Sequence, residues 1–246
     1  MLIDFCIPIH NEEKILLENT RKLLEYLHGL NLPDNWQLVI INNGSNDNSR
    51  PISEKLANDY PSEIKTVEYE KPGKSRALKK YFATSPADLL CYMDIDLAVA
   101  LENIPNLLTP LLENQADLVM GSRLLKKSQT NRGFWRGLSS QIYNLLSRLI
   151  LGHHFSDLQC GFKAFKKEVY QQTAPYLLDN DWFLDTELIT FSRFLNFKIV
   201  EIPVNWQENR YDTRRSRVHL LNDSWDFIKN LIGLKKRLIA IKKHPY

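Results

Sequence analysis

The chain carries the stretch CYMDIDL at residues 91–97, in which an apolar run ends in two carboxylates, Asp94 and Asp96. Residues 87–93 are typical of a buried strand, because short apolar runs bounded by turn signals form the interior strands of α/β sheets. The two aspartates would then lie at the carboxyl edge of the sheet, where open α/β sheets bind ligands, with both side chains on the same side. Such a pair suits Mg²⁺ or Mn²⁺, which bind one or two carboxylates together with phosphate oxygens of a substrate. The stretch alone also fits a solvated turn after a strand, so the rest of the sequence has to decide between a metal site and a turn.

Short apolar runs alternate with segments of helical periodicity through the first half of the chain. The runs predict strands at 2–9, 37–41, 64–69, 89–93 and 118–120, and the segments between them predict helices at 12–28, 49–60, 74–83 and 101–114. Strands that alternate with helices form a mostly parallel sheet with helices on both faces. The sequence therefore predicts an α/β fold whose first half is of the nucleotide-binding type.

The alternation breaks after Gly121. We expect a helix over 134–151, a loop around Asp157, short strands at 161–165 and 198–203, and then a basic tail. No internal repeat or linker separates these segments. The simplest interpretation is one domain over 1–217, in which residues 122–217 complete a site begun by residues 1–121.

Composition excludes several classes of protein. The 246 residues are 43% hydrophobic and 25% charged, which are ordinary values for a globular protein. A net charge of +3 is too small to indicate nucleic acid as a partner. Cys6 and Cys91 lie inside apolar strand-like runs, which favours reduced thiols and a cytoplasmic location. No signal peptide or membrane-spanning run is visible, so we expect a protein that is not secreted and does not cross a bilayer.

Six motifs occur in a recognisable order. The first three are PIHNEE at 8–13, INNGSND at 41–47 and the Asp-x-Asp pair, and they resemble family 2 glycosyltransferases with the nucleotide-sugar-binding GT-A fold. The later three are VMGSR at 119–123, DLQCGFK at 157–163 and WFLDTE at 182–187. They resemble the polyprenyl-phosphate branch, which contains dolichol- and undecaprenyl-phosphate mannosyl- and glucosyltransferases. The resemblance extends from Ile3 to about Arg217 and identifies residues 1–217 as the catalytic domain, with a nucleotide-binding half and an acceptor-side half.

The resemblance implies a nucleotide-diphosphate sugar, UDP-glucose or GDP-mannose, as the donor and Mg²⁺ or Mn²⁺ as the cofactor. Asp96 would bind the metal directly, while Asp94 would reach the ribose or the metal's water. The residues implied in donor binding are Pro8, His10, Asn11, Glu12, Asn43, Ser45, Lys74, Asp94, Asp185, Glu187, Arg215 and Arg217. Plainer roles remain open for most of them: helix capping for Asn11 and Glu12, a tight turn at 43–45, and an acidic helix start for Asp185 and Glu187.

Lys74 opens a predicted helix, where it and nearby backbone N–H groups could face a phosphate. A solvated lysine after a proline turn fits equally well.

Two departures from the family pattern bear on the donor. Asn42 and Asn43 stand where aspartates are usual, which leaves the base open, and Ala98 stands where the polyprenyl-phosphate enzymes carry glutamine, so one auxiliary metal ligand is absent.

The acceptor's chemistry separates the catalytic candidates, which are Asp96, Asp157, Arg123 and Arg136. A hydroxyl acceptor needs a general base, whereas a lipid phosphate arrives ionised and needs positioning and neutralisation, which suits the forked donors of arginine. Arg136 also fits a helix-surface salt bridge. Asp157 occupies a family position near the reacting sugar, and it also fits a turn or cap.

The resemblance thus predicts a metal-dependent inverting enzyme that moves a hexose, with glucose favoured, to a polyprenyl phosphate at the cytosolic face of a membrane. Residues 218–246 predict a basic amphipathic helix, either packed on the domain or lying on a membrane surface. The chain would be peripheral to the membrane or would recruit a membrane-embedded partner. Transfer to a glycan, protein or soluble acceptor, and a non-catalytic nucleotide-sugar-binding module, are the alternatives.

Overall fold

The computed structural model describes residues 1–32, 35–131, 134–207 and 220–243, without the side chains of 134–136, 220–226 and 243. The strands are β1 (Leu2–Ile9), β2 (Asn35–Asn43), β3 (Ile64–Tyr69), β4 (Leu89–Met93), β5 (Leu118–Ser122), β6 (Gln129–Asn131), β7 (Phe162–Lys166), β8 (Ile199–Pro203) and β9 (Asn205–Gln207). The α-helices are α1 (Leu16–His28), α2 (Ser49–Asp59), α3 (Lys74–Thr84), α4 (Ile104–Leu112), α5 (Phe134–Leu151), α6 (Lys167–Thr173), α7 (Leu184–Phe194) and α8 (Leu220–Lys243).

Seven strands form the central sheet in the order β3-β2-β1-β4-β7-β5-β8. All neighbours in it are parallel except β7, which runs antiparallel to both β4 and β5. The predicted mostly parallel α/β sheet is confirmed. Because β7 is reversed, its first residue, Phe162, pairs with Met93, the last residue of β4. The loop that enters β7 therefore meets the loop that leaves β4 at one edge of the sheet.

The sheet separates two apolar cores. Alternate residues of a strand point to opposite faces, so Phe5 packs with helices α1, α2 and α4, and the next residue, Cys6, packs with α3, α5, α6, α7 and α8. The predicted cover of helices on both faces is confirmed. The strands of a parallel sheet covered on both faces are continuous apolar runs in the sequence. This explains why the strands could be predicted.

The boundary at Gly121 does not divide the sheet into two halves. Strand β7 belongs to the second half of the chain, yet it lies between β4 and β5 of the first half. The segments 1–121 and 122–217 therefore share one sheet, and their assignment as a nucleotide-binding half and an acceptor-side half stays a prediction.

Helix α8 packs on the rest of the fold. Leu231 and Leu234 are fully buried in the core that it shares with α5 and α7, and Leu238 is nearly so. The Arg237 guanidinium bonds to the Glu187 carboxylate and, at 2.9 Å, to the carbonyl of Tyr176. Among the described helices, none combines the length and apolar character that a bilayer crossing demands.

Candidate active site

Asp94 and Asp96 line one cleft at the carboxyl edge of the sheet, together with Met93, Leu97, Ala98, Val99, Gly161 and Trp206. The cleft encloses about 230 Å³, including its open mouth. Leu97 adopts a positive φ of 50° and donates its N–H to the Asp94 carbonyl at 3.2 Å, which closes a tight turn after β4. The Ala98 N–H donates to Oδ1 of Asp96 at 3.2 Å. This turn brings both half-buried carboxylates into the same space.

Lys74, the first residue of α3, bonds through Nζ to Oδ1 of Asp94. Burial alone would lower the pKa of this lysine, but the charges of Asp94, Asp185 and Asp96 outweigh burial and raise its pKa above the ordinary value. Lys74 is therefore a fixed positive charge in the cleft. Its ammonium also lies 5.8 Å from the ring centre of Trp182, within the range of a cation–π contact.

Two backbone N–H groups at the start of α3 are bonded within the protein. The N–H groups of Ser75 and Arg76 donate to the carbonyls of Asp181 and Asn180, each at 3.1 Å. These two N–H groups therefore do not face a ligand. A phosphate contact of Lys74 stays a prediction.

Gly161 has no side chain, and the Asp94 carboxylate occupies the space that a side chain would fill. A Cβ atom at this position would come within 2.7 Å of Oδ2 of Asp94 and 3.4 Å of Nζ of Lys74. Contacts under 3.0 Å are essentially never seen for real Cβ atoms. A side chain at position 161 would therefore displace the Asp94 carboxylate.

A buried lysine joins the cleft to helix α7. Lys163 of β7 is fully buried, and its Nζ donates to Oδ1 of Asp185 at 2.5 Å and to the carbonyls of Leu158 and Cys160. The Tyr92 hydroxyl donates to the same Asp185 oxygen. Burial, followed by the charge of Asp185, raises the pKa of Tyr92 well above its usual range, so the hydroxyl stays protonated. These bonds fix Asp185 beside the cleft and both fall on its Oδ1.

Arg123 and Asp157 form a closed ion pair below the cleft. The guanidinium bonds through Nε at 2.6 Å and Nη2 at 2.8 Å to the two carboxylate oxygens, and the Arg123 backbone N–H adds a third bond at 3.1 Å. The Asp157 side chain is 0% exposed and that of Arg123 is 8% exposed. Burial would raise the pKa of Asp157, but Arg123 outweighs it and lowers the pKa to about 2. The guanidinium lies 5.0 Å from the ring centre of Trp206.

The ends of β1 and β2 hold each other through polar bonds. His10 Nδ1 lies 2.9 Å from the Asn43 carbonyl, and the Asn11 N–H donates to Oγ of Ser45 at 2.9 Å. Glu12 is buried, and its N–H donates to Oγ of Ser49 at 2.8 Å. Pro8 is buried inside β1. The predicted donor-binding residues of this region are thus brought to one edge.

The Asn43 side chain is already committed within the protein. Its amide donates to the Ile9 carbonyl at 2.8 Å, and its Oδ1 accepts from the Gly73 N–H at 3.0 Å. Because the residue is only 5% exposed, its amide ties β1 and β2 to the start of α3. The structure corrects the expectation that this side chain binds the base directly.

Glu187 also has a different role from the one expected. It is 1% exposed, and its two oxygens accept bonds from Arg237 of α8 and from the Asp179 N–H at 2.9 Å. Each oxygen keeps a second lone pair, but a side chain this deeply buried is closed to a sugar hydroxyl in this arrangement. The structure corrects this assignment and makes Glu187 the anchor of α8.

Residues 4–173 match the family model of glycosyl transferase family 2. The chain belongs to this family. Among curated family relatives, it is 27% identical over 96% of its length to glycosyltransferase AglD of Haloferax volcanii, of which it covers 36%. It is 29% identical over 84% of its length to the dolichyl-phosphate beta-glucosyltransferase ALG5D of Trichomonas vaginalis, of which it covers 66%. The chain thus spans about a third and two thirds, respectively, of these relatives.

The fold is that of solved GT-A glycosyltransferases. Glucosyl-3-phosphoglycerate synthase from Mycobacterium tuberculosis, in complex with Mn²⁺, UDP and glucosyl-3-phosphoglycerate, matches with a TM-score of 0.65 at 18% identity, over 96% of this chain and 79% of that one. The predicted family and GT-A fold are confirmed.

Three of the predicted site residues lie wholly or partly outside the described residues. Arg215 and Arg217 lie outside the described residues, as does the side chain of Arg136, whose backbone is in the first turn of α5. The roles predicted for them stay predictions. So does the phosphate contact of Arg123, for which two N–H groups of Nη1 and one of Nη2 are left, since Nε and the other Nη2 hydrogen bond to Asp157.

Sequence patterns assigned no role to Trp206 and Gly161, which line the cleft, or to Tyr92 beside it. Trp206 lies in β9, a three-residue strand with no periodic signal, and Tyr92 reads as one more apolar position of β4. Gly161 lies within the DLQCGFK motif, and a glycine directly before a strand was the available signal for a close approach of another group.

Proposed function

We propose that the chain is a metal-dependent inverting glycosyltransferase that moves glucose from UDP-glucose to a polyprenyl phosphate at a membrane surface. The observation that carries this proposal is the cleft itself. Asp94 and Asp96, two acids at the carboxyl edge of the sheet, face one space with the cation Lys74 bonded to Asp94. A nucleotide-sugar donor requires this arrangement, in which acids bind the metal and a neighbouring cation neutralises the diphosphate.

The residues present fit a divalent cation that is shared with its substrate. No cluster of three or more His, Cys, Asp or Glu side chains able to hold a metal occurs among the residues that the structure describes. Mg²⁺ and Mn²⁺ accept one or two carboxylates and take their other ligands from water and phosphate. Asp96 and Oδ2 of Asp94, on the side left open by Gly161, would supply the protein ligands. The bound cation would neutralise charge on the departing diphosphate.

The site's own residues suit a phosphate acceptor. An ionised phosphate oxygen attacks the anomeric carbon as the bond to the donor's diphosphate breaks, and the electron pair leaves with UDP. No proton has to be removed, so no general base is needed. Asp185 is bonded to Lys163 and Tyr92 and acts as a positioning residue. Lys74 faces the charge that develops on the leaving diphosphate.

The relatives support the choice of donor and acceptor. The Trichomonas vaginalis relative is named a dolichyl-phosphate beta-glucosyltransferase, and the human protein of that name is 28% identical over 84% of this chain. A β-linked product from an α-linked donor is the outcome of a single in-line displacement. GDP-mannose remains the donor to compare against.

The test is a transfer assay on the purified full chain. UDP-glucose or GDP-mannose is mixed with a short polyprenyl phosphate, with Mn²⁺, with Mg²⁺ or with a chelator, and the lipid product is separated and its anomeric linkage read by NMR. We expect β-glucosyl polyprenyl phosphate from UDP-glucose, and no product with the chelator. A faster reaction with GDP-mannose would overturn the donor assignment.

Two other results would overturn the function. Donor binding without turnover of any acceptor would make the chain a binding module. Transfer to a soluble acceptor that proceeds without lipid, and is lost in Asp185→Asn, would indicate base catalysis on a hydroxyl.

A further inference from the structure

Helix α5 carries a stripe of exposed apolar side chains. Leu138 is 38% exposed, Ile142 49%, Leu145 56% and Leu149 73%. Steps of four, three and four residues place them on one side of a helix. The buried residues Asn144, Ser147 and Leu151 lie on the opposite side of the same helix. The stripe therefore points away from the core.

Helix α8 adds apolar and basic side chains beside this stripe. The two helices pack together, with the rings of Tyr143 and Phe227 5.2 Å apart. On the side of α8 away from the buried leucines, Ile232 and Ile239 are each 45% exposed, and Lys236 is exposed as well. We call the six exposed apolar side chains, with Lys236, the outer face.

The charge of the outer face has one sign. Residues 134–151 contain no Asp or Glu, and none occurs among the described side chains of α8. Apolar residues interleaved with lysines on exposed helices are the pattern of interfacial helices, in which the apolar side chains enter the acyl boundary and the lysines meet anionic head groups. A second copy of the chain would bring lysines against lysines in a two-fold interface. Charge complementarity thus favours lipid.

The inner side of α5 reaches the candidate active site. The Tyr143 hydroxyl lies 2.6 Å from Oγ1 of Thr186 on α7, and Nε2 of Gln159 donates to both hydroxyls, at 3.2 Å and 2.9 Å. Gln159 belongs to the loop that also carries Asp157 and Gly161. One helix therefore connects the outer face to the loop that forms the cleft.

We propose that the outer face docks the chain onto an anionic lipid surface. Leu145 and Leu149 enter the boundary between head groups and acyl chains, and Lys236 meets lipid phosphates. The inference deepens the proposed function and rests on it for the lipid acceptor. Docking through α5 would bring the loop of Gln159 close to the layer in which a polyprenyl phosphate carries its head group.

The test is co-sedimentation of the full chain with vesicles of phosphatidylcholine alone or mixed with phosphatidylglycerol. We expect binding to the anionic vesicles, weakened by salt. The double variant Leu145→Ser, Leu149→Ser should bind about tenfold less or weaker still, and Lys236→Gln should lose part of the salt-dependent binding. Ile232→Ser with Ile239→Ser tests the same face from α8 if the first pair disturbs folding, which circular dichroism reports.

Matched controls exist elsewhere on the surface. Leu178 is 61% exposed outside the outer face, and Lys55 is 62% exposed on α2, across the sheet from α5. Leu178→Ser and Lys55→Gln should bind vesicles like the unchanged chain. Equal loss in these controls would overturn the proposal.

Two further results would overturn it. One is absence of binding to both vesicle types. The other is a dimer in solution that Leu145→Ser with Leu149→Ser turns into a monomer, because the face would then join two copies. The assay needs no turnover, so docking and the proposed reaction can fail separately: vesicle binding without transfer refutes the reaction alone, and transfer to a short acceptor without vesicle binding refutes the docking alone.

Discussion

Arg123 and Asp157 hold each other in a two-point ion pair that is almost closed to solvent, with bonds of 2.6 Å and 2.8 Å. Arg123 follows β5, and Asp157 lies in the loop that leads into β7. The pair therefore joins two neighbouring strands beneath the cleft. Removing one partner of such a pair is costly, because the other charge stays buried without compensation.

We expect Arg123→Met to lower the free energy of unfolding by about 3–5 kcal/mol, measured by urea denaturation. The double variant Arg123→Met, Asp157→Leu should recover part of this loss, since it removes the stranded carboxylate as well. Arg50→Met, at an exposed pair on α2, is the control and should leave the midpoint unchanged. A double variant less stable than Arg123→Met would contradict the ion-pair explanation.

The same pair predicts how stability depends on pH. The pKa of Asp157 is about 2 in the folded chain against an ordinary value of 3.8. A lowered folded pKa contributes stability that is fully present above pH 3.8 and is lost as pH falls towards 2. That contribution is on the order of 2 kcal/mol. NMR titration of the Asp157 carboxyl carbon checks it, and a midpoint at or above 3.8 would refute it.

Asp96→Asn should slow transfer at least about a hundredfold while the melting temperature stays near that of the unchanged chain. The residue is a half-buried ligand candidate at the cleft rather than part of either core. Asp88→Asn is the matched control, because Asp88 lies just before β4, at the far end of the same strand. A fully active Asp96→Asn enzyme would remove the metal site from its proposed place.

Gly161→Ala should lower activity about tenfold to a hundredfold with little loss of stability. The added Cβ would meet Oδ2 of Asp94 at 2.7 Å, and the carboxylate can move aside, but it would then leave its place in the cleft. Gly233→Ala is the control, since a Cβ there meets nothing within 4 Å. Initial rates and melting curves are the measurements. Unchanged rates for Gly161→Ala would show that the position of Asp94 does not matter.

Lys74→Met should have opposite effects on cation binding and on transfer. Without the ammonium at Oδ1 of Asp94, the donor-free chain should bind Mn²⁺ more tightly, as titration calorimetry or electron paramagnetic resonance would report. Transfer should slow, because the leaving diphosphate loses a cation. Lys71→Met, on the exposed turn before α3, should change neither quantity. Weaker Mn²⁺ binding in Lys74→Met would contradict this account.

Elements that depend on local pattern were predictable from the sequence. The bounds of β1 and β3 agree residue for residue with the predicted strands, and β4 occupies residues 89–93 of the apolar run at 87–93, because each is a short apolar run between turn signals. Helix α1 begins four residues later than predicted, at Leu16, since Asn11 has a positive φ of 54° and the chain turns through 12–15 first. Strands β6 and β9 have three residues each and carry no alternation that could predict them.

The site residues that lie at strand ends could be predicted from the sequence. The ion pairs that hold the charged side chains could not. Asp94 and Asp96 share a cleft as the strand-end rule required. The partner of each charge was not visible, because Lys163 with Asp185 and Arg237 with Glu187 are contacts between residues far apart in sequence. Those contacts decide which acids remain open to a ligand.

The reversed strand β7 has a consequence for how the chain is made. Its neighbours β4 and β5 are both synthesised earlier, yet they cannot pair with each other and must wait for it. On the ribosome, the centre of the sheet stays open until residues 162–166 have emerged, and one edge of β4 and both edges of β5, whose other neighbour β8 is made later still, have no partner strand during that interval. Nascent chains of this protein therefore have a defined stage at which binding by a chaperone would prevent aggregation.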